Sequence, residues 1–444
     1  MYRYFLITVV LLLGHVEPCW AQRIVSLAES FTINPYTAGK IECLLPQDQA
    51  GRQSILSIQV TRPPDDTILK HGGLYAVWEI VWSSEVQQIS VVTTLRLSEN
   101  SLRKASNSKS VLLESEELSM FVQPEEMIQS ADKEIERTAA ELIGNNDRET
   151  VRNVFNFTID HLEYYQFFNQ RQGAKKALRK GRGDCTEYAE LMVALLRNLG
   201  IPARKALGHT IHQQKEQRVG YHSWVEVYFE KLGWVSFDPT WADHEKTYTK
   251  FDKMENAYIL LGYGHSAARN RPRVSGGDFQ VDYNSDWEDP ALLIEGRVHS
   301  ALWQDDLLRA NNSLDTLIAW LPDNAKYIAL RAKAVMVSGA FEEAFPLIQL
   351  SIRKAQDEWT KQNCMRNLAS YMANTGKEKE ALALLLALEK KNEYSAVPAS
   401  TNRLLSPLSD EVDFQSLVER GKTLSKKLYE EMLAREAKAA NEKQ

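Results

Sequence analysis

Cysteine is scarce in this chain, with four in 444 residues, too few and too scattered for the disulfide framework of a small secreted scaffold. Basic charge is not in excess: 53 Lys and Arg stand against 59 Asp and Glu, a formal net charge of −6, so no electrostatic argument points to a nucleic-acid partner. No apolar run is long enough to span a bilayer, and neither a Gly-rich phosphate loop nor a dinucleotide fingerprint stands out. What is present, 44% hydrophobic and 25% charged residues, is the composition of a soluble globular protein. At roughly 100 to 200 residues per domain, the length calls for two to four domains.

The start of the chain reads as a targeting segment. Arg3 precedes an apolar run from Phe5 to Leu13, and Gly14, Pro18, Cys19 and Ala21 follow as a small-residue cleavage signal. We therefore expect a signal peptide over residues 1–21, a mature chain starting near Gln22, and a secreted or periplasmic location. Lipidation of Cys19 is the alternative, but Val16-Glu17-Pro18 is a poor match to the apolar lead it needs. The mature chain then keeps Cys43, Cys185 and Cys364.

Three patterns follow. From Gln22 to Leu97 apolar residues alternate, as in Leu56, Ile58 and Val60 and again in Ile89, Val91, Leu95 and Leu97, which predicts an antiparallel β-sandwich-like domain over 22–122. Around Pro124 the period changes to three and four (Ile128, Ala131, Ile135, Ala139, Leu142) and opens an α+β core over 123–278. Beyond a linker at 279–292 the pattern is helical to residue 440. There Gly339-Ala340-Phe341-Glu342-Glu343-Ala344 and Gly376-Lys377-Glu378-Lys379-Glu380-Ala381 start 37 residues apart, close to the 34-residue period of tetratricopeptide repeats. We read 293–440 as an all-α, TPR-like domain. The fold class is thus multidomain α+β.

The chemistry concentrates between Gly181 and Asp243. Cys185 stands at the head of an apolar stripe, Tyr188, Leu191, Met192, Leu195, Leu196 and Leu199, one face of a helix that Gly200 and Pro202 terminate. A sulfur in a helix's first turn lies at the positive end of the macrodipole, which stabilises thiolate. By itself a lone cysteine is more often a small buried hydrophobe. Two β runs follow, Tyr221–Phe229 and Trp234–Thr240, and read as a hairpin. A turn centred near Glu230 sets His222 and Asp238 nearly opposite on one face, whereas one nearer Leu232 needs a bulge. Cysteine, histidine and aspartate together supply a nucleophile, a base and a group to orient the base.

These residues resemble the transglutaminase-like superfamily, which has a papain-like cysteine-enzyme core. The resemblance rests on Gly183-Asp184-Cys185-Thr186-Glu187, on Leu196 to Arg204, on His222-Ser223-Trp224-Val225-Glu226-Val227 and on Trp234 to Trp241. It covers roughly a third of the chain, about 125 to 275. It implies Cys185 as nucleophile, His222 as general base and acid, and Asp238 as orienter, and it likens Leu260–His265 to a closing strand. The Gly-Gln-Cys-Trp motif of cross-linking transglutaminases is not found here, so cross-linking does not follow. The Cys185 amide is the first candidate donor to an oxyanion; Tyr164, Tyr165 and Trp224 are side-chain alternatives more commonly used in packing.

No cofactor or metal is expected. Asp282, Asn284 and Asp286 imitate a calcium loop, but Trp287 stands where its Gly belongs and Leu293 where its Glu belongs, so we read a solvated linker. His209 and His212 do not have zinc-site spacing. Two functions are in view. One is a cysteine enzyme that cleaves peptide or isopeptide amides through a thioester. The other is a non-catalytic scaffold in which the core and the TPR-like helices bind a polypeptide.

Overall fold

The computed structural model describes residues 22–70, 72–101, 115–165, 172–211, 219–243, 249–264, 272–276, 279, 281–392, 394, 396–399 and 402–441. The expected signal peptide over 1–21 and His212 and His265 lie outside them. The described chain divides into two compact units that meet in sequence at Asp289 and Pro290.

In the first unit, β1 (Gln22–Ile33), β3 (Gln53–Val60), β6 (Gln87–Ser98) and β16 (Val281–Glu288) form an antiparallel sheet in the order β16-β1-β6-β3. A second sheet of eight strands runs β12 (Gly233–Phe237), β11 (Val219–Phe229), β10 (Ala203–Ile211), β14 (Tyr258–Tyr263), β5 (Gly73–Ile80), β2 (Gly39–Leu44) and β15 (Arg273–Ser275), with β4 (Asp66–Lys70) also on β5. Two short pairs complete the strands: β7 (Asn100–Ser101) with β13 (Lys253–Met254), and β8 (Glu163–Tyr164) parallel to β9 (Arg182–Gly183). After a short helix at Ser115–Ser119 and a 3-10 turn at Met120–Val122 come α1 (Lys133–Ala140), α2 (Asp147–His161), α3 (Gly173–Lys180), α4 (Cys185–Asn198) and the single turn α5 (Pro239–Ala242).

Alternation explains the layers. On β6 every second residue, Ile89 through Leu97, is buried, as a half-covered strand requires. On β11, Val225 joins the core built around α4, while its neighbour Trp224 joins a core with Val25, Leu27, Leu95 and Leu97 of the four-stranded sheet. The eight-stranded sheet thus carries helices on one face and strands on the other.

Three sequence expectations change. The face of Leu56, Ile58 and Val60 is not a core face: β3 is an edge strand, bulged between Ile55 and Ser57, with Ile58 and Val60 exposed. The stretch read as a solvated linker is largely β16, paired with β1 from Ser26↔Glu288 to Ile33↔Val281. Asp282, Asn284 and Asp286 are the exposed half of an alternation whose other half ends in buried Trp287. Finally, 122/123 marks a change of element type within one compact unit, because strands from both sides share the eight-stranded sheet.

The second unit is helical: α6 (Pro290–Trp303), α7 (Leu307–Trp320), α8 (Ala325–Val337), α9 (Phe341–Lys354), α10 (Glu358–Ala373), α11 (Glu378–Lys391), a 3-10 turn (Arg403–Leu408) and α12 (Val412–Asn441). Both α8–α9 and α10–α11 turn on the expected glycines, Gly339 (φ 87°) and Gly376 (φ 76°), a left-handed backbone that glycine adopts at no steric cost. Ala344 and Ala381 are fully buried, so the second helix of each hairpin lies close against its neighbours.

Candidate active site

Helix α4 is placed by its own ends. Asp184 is its N-cap, accepting from Thr186 N at 2.8 Å, and Glu187 reaches back to Asp184 N at 3.1 Å, a reciprocal capping box. Gly200 ends it at φ 75°. Cys185 is therefore the first helical residue, where the backbone N–H has no acceptor within the helix. Gly183 lets the approach come close: a Cβ there would stand 2.3 Å from Cβ of Glu187. Burial first, then the Asp184 charge, push the Glu187 carboxyl up to about 7.

The β11–β12 register is Val225↔Phe237 through Phe229↔Gly233, so the turn centres on Lys231, between the two alternatives considered. Asp238 continues β12 opposite Trp224 and diagonal to His222 on the same face. The diagonal is short enough: His222 Nε2 donates to Asp238 Oδ2 at 2.7 Å. With Nε2 committed, the ring's other nitrogen is left for Cys185, whose side chain hydrogen-bonds His222. Cys185, His222 and Asp238 are brought together in a chain.

Asp238 is fully buried and its oxygens are filled. Oδ1 accepts from Thr240 N at 3.0 Å and Trp241 N at 3.2 Å, capping α5. Oδ2 accepts from His222 and, at 2.7 Å, from the Tyr258 hydroxyl. Burial raises the Tyr258 phenol well above its ordinary range, so it remains a donor. Burial disfavours a charged His222, but the Asp238 carboxylate, its hydrogen bond and the Cys185 sulfur outweigh that and push the imidazolium up to about 10. The arrangement keeps the imidazole beside the sulfur protonated at neutral pH.

Aromatic rings wall the imidazole: Trp241 at 5.3 Å, Tyr258 at 5.9 Å and Trp224 at 6.3 Å between centroids. Behind them the buried Arg52 guanidinium lies 5.4 Å from the Tyr258 ring and 5.8 Å from that of Trp224. Neither Tyr258 nor Arg52 was found by sequence reasoning. Tyr258 opens a strand recognised only by resemblance and only from Leu260 on, and Arg52 precedes Cys185 by about half the length of this unit with no local signal. Tyr164 stands half-exposed on β8, its phenol raised first by burial and then by the charges of Cys185 and Asp184, which puts it near the sulfur. The Trp224 indole N–H is buried without an acceptor.

His209 is fully buried with no partner on either ring nitrogen, and burial pushes it down to about 3; it is a neutral core residue. Among the described residues no group of three or more His, Cys, Asp or Glu is arranged to hold a metal ion, and no helix is long and apolar enough to cross a membrane.

Residues 136–239 match the family model described as the transglutaminase-like superfamily. This segment is a transglutaminase-like core. The core includes Cys185, His222 and Asp238, whereas Arg52 and Tyr258 lie outside the matched residues. Two relatives are similar in part. "Uncharacterized protein YebA" of Bacillus subtilis (strain 168) is 44% identical over 69 residues, 13% of this chain and 9% of that protein. "Uncharacterized protein ML0607" of Mycobacterium leprae (strain TN) is 33% identical over 94 residues, 20% of this chain and 29% of that protein. This chain therefore spans under a third of either relative. Among solved structures, the "Putative Cysteine Protease" of Cytophaga hutchinsonii aligns at 17% identity and TM-score 0.45, covering 60% of this chain and 90% of that one.

Proposed function

We propose that this protein is a cysteine enzyme that attacks an amide carbonyl, holds the acyl group as a thioester on Cys185 and passes it to water. Peptide or isopeptide hydrolysis is the reaction, and the N-terminal apolar leader directs it to the periplasm or the outside of the cell. The observation that carries the reading is the continuous hydrogen-bonded chain from Cys185 through His222 to Asp238. In it the sulfur attacks as thiolate, and the new S–C bond forms as the carbonyl π pair moves to oxygen. The Cys185 amide at the head of α4 donates to that oxyanion. When the C–N bond breaks, the His222 imidazolium gives its proton to the departing amine. The neutral ring then takes a proton from the attacking water. Asp238 keeps Nε2 protonated throughout, so the ring presents one nitrogen to the reaction.

Thiol reactivity tests the reading. Cys43 and Cys364 are fully buried and Cys185 is half-exposed, so iodoacetamide near neutral pH should modify Cys185 first, and His222→Ala should remove its advantage. Wild type and Cys185→Ser are then incubated with cell-wall peptides, casein and glutamine amides, with cleavage expected from wild type alone. Equal reactivity of the three cysteines, or no difference between the proteins on any amide, overturns the assignment in favour of a binding role.

A further inference from the structure

We propose that Tyr258 is a positioning residue: by donating to the Asp238 oxygen that His222 also holds, it limits how tightly Asp238 grips the imidazolium, a role that rests on the thioester chemistry already proposed. Four donors fill the Asp238 carboxylate. Thr240 N and Trp241 N hold Oδ1, while His222 Nε2 and the Tyr258 hydroxyl, each at 2.7 Å, share Oδ2. The two backbone donors cap α5; the phenol is the one that competes with the ring. Its place is fixed from several sides. Tyr258 pairs with Thr210 of β10, and two residues on, the Gln53 side chain clamps Leu260 by donating to its O and accepting from its N, both at 2.8 Å. The Tyr258 ring stands 4.9 Å from that of Trp241 and 5.4 Å from that of Trp224, centroid to centroid. Arg52, whose Nη1 donates to Met254 Sδ at 3.1 Å, backs the same ring. The hydroxyl also meets Thr249 Oγ1 at 3.2 Å. Since the phenol's one proton goes to Asp238, Thr249 is the donor of that pair, which makes the phenol a better donor in turn.

Two charge-assisted bonds on one oxygen draw on the same electron density, so each is weaker than it would be alone. Without the phenol, that density would serve the imidazolium only, and the ring would hold its proton harder. A general acid works best when its pKa lies near the working pH. Burial opposes a charged His222, yet Asp238 and Cys185 already push it up to about 10, so a further rise would slow proton delivery to the departing amine. The charged and titratable groups acting on this pair are Asp238 and Cys185 at the ring, and Asp238 and Arg52 at the phenol. A hydroxyl that merely packed would leave the ring's proton unaffected when removed.

The test uses the full chain, and its readouts need no substrate. Tyr258→Phe keeps the ring and removes the hydroxyl. Titration of the imidazole 15N shifts should place the His222 midpoint about 0.5–1 pH unit above that of wild type, a part of one hydrogen bond's worth. The Nε2 proton should resonate further downfield at neutral pH as its bond to Asp238 strengthens. A ring-fluorinated tyrosine at position 258 is a more acidic phenol and a stronger donor, so it should move both signals the other way. Because it keeps the hydroxyl, it decides the matter where Tyr258→Phe does not melt cooperatively. An unchanged or lowered midpoint in Tyr258→Phe, or no opposite movement with the fluorinated ring, overturns the proposal. Failure of Cys185 to alkylate ahead of Cys43 and Cys364 overturns the thiol reading instead, and the His222 signals are read without it.

Discussion

Asp238 serves two structures at once: one oxygen caps α5 and the other holds His222 and Tyr258. Asp238→Asn leaves an oxygen for the cap and removes the charge. Burial then acts on His222 with its main opponent gone, so the ring's pKa should fall from about 10 to below 6.5 and imidazole 15N shifts at pH 7 should become those of a neutral ring. Because the folded-state pKa is raised, this group's stabilisation is full below pH 6.5 and is lost as pH rises through about 10. The stability deficit of Asp238→Asn should shrink over that window. Glu29 has the same sign at lower pH, though its pKa is raised by burial and not by a partner. It lies buried between the sheets, accepting from Tyr283 at 2.7 Å and from Cys43, and burial pushes it up to about 7. The folded chain holds that proton more tightly than the unfolded one, so stability falls as pH rises from about 4.5 to 7. Glu29→Gln should gain about 2–3 kcal/mol relative to wild type between pH 5 and pH 8, measured by urea unfolding at each pH.

At the scale of the element, α4 separates reactivity from stability. Its apolar stripe is fully buried from Tyr188 to Leu196, so Leu195→Ala should cost about 2–5 kcal/mol yet leave alkylation of the folded protein at its wild-type rate. Asp184→Ala should cost only about 1 kcal/mol, the usual worth of a cap. It should nevertheless slow Cys185 alkylation, because the frayed turn is the one that carries the sulfur; iodoacetamide kinetics beside thermal melts separate the two. This helix was legible because its signals are local, a period near 3.6 and Gly200 with Pro202 at its end, while its capping box came from the structure. The β11–β12 register was not, since a turn centred on Glu230, Lys231 or Leu232 differs by little in sequence and by whole residues in pairing. Strand β16 was misread for a related reason: polar residues at every second position are an exposed strand face as readily as a solvated linker, and the partner that decides is β1, more than 240 residues earlier.

For the whole molecule, the strands before 122 support the candidate site. Val25, Leu27, Leu95 and Leu97 are fully buried in the core that also holds Trp224 and Tyr258, and Arg52 enters behind the imidazole. At about 1.5–3 kcal/mol for each buried aliphatic side chain, losing these four removes roughly 6–12 kcal/mol, comparable to the whole stability of a typical domain, about 5–15 kcal/mol. A chain of residues 123–289 should therefore fail to melt cooperatively, whereas 22–289 should melt as one transition and keep the fast alkylation of Cys185. Circular dichroism and iodoacetamide labelling of the two chains check this.

The amino-acid order by itself determined where helices and strands alternate, where α4 runs and ends, and which cysteine, histidine and aspartate to suspect, because periods and turn residues act over a few positions. Only the tertiary structure decided that Tyr258 and Arg52 stand behind the His222 pair and that β16 closes the first sheet. Those contacts join residues tens to hundreds of positions apart, and burial, which sets their energies, exists only once the chain has packed.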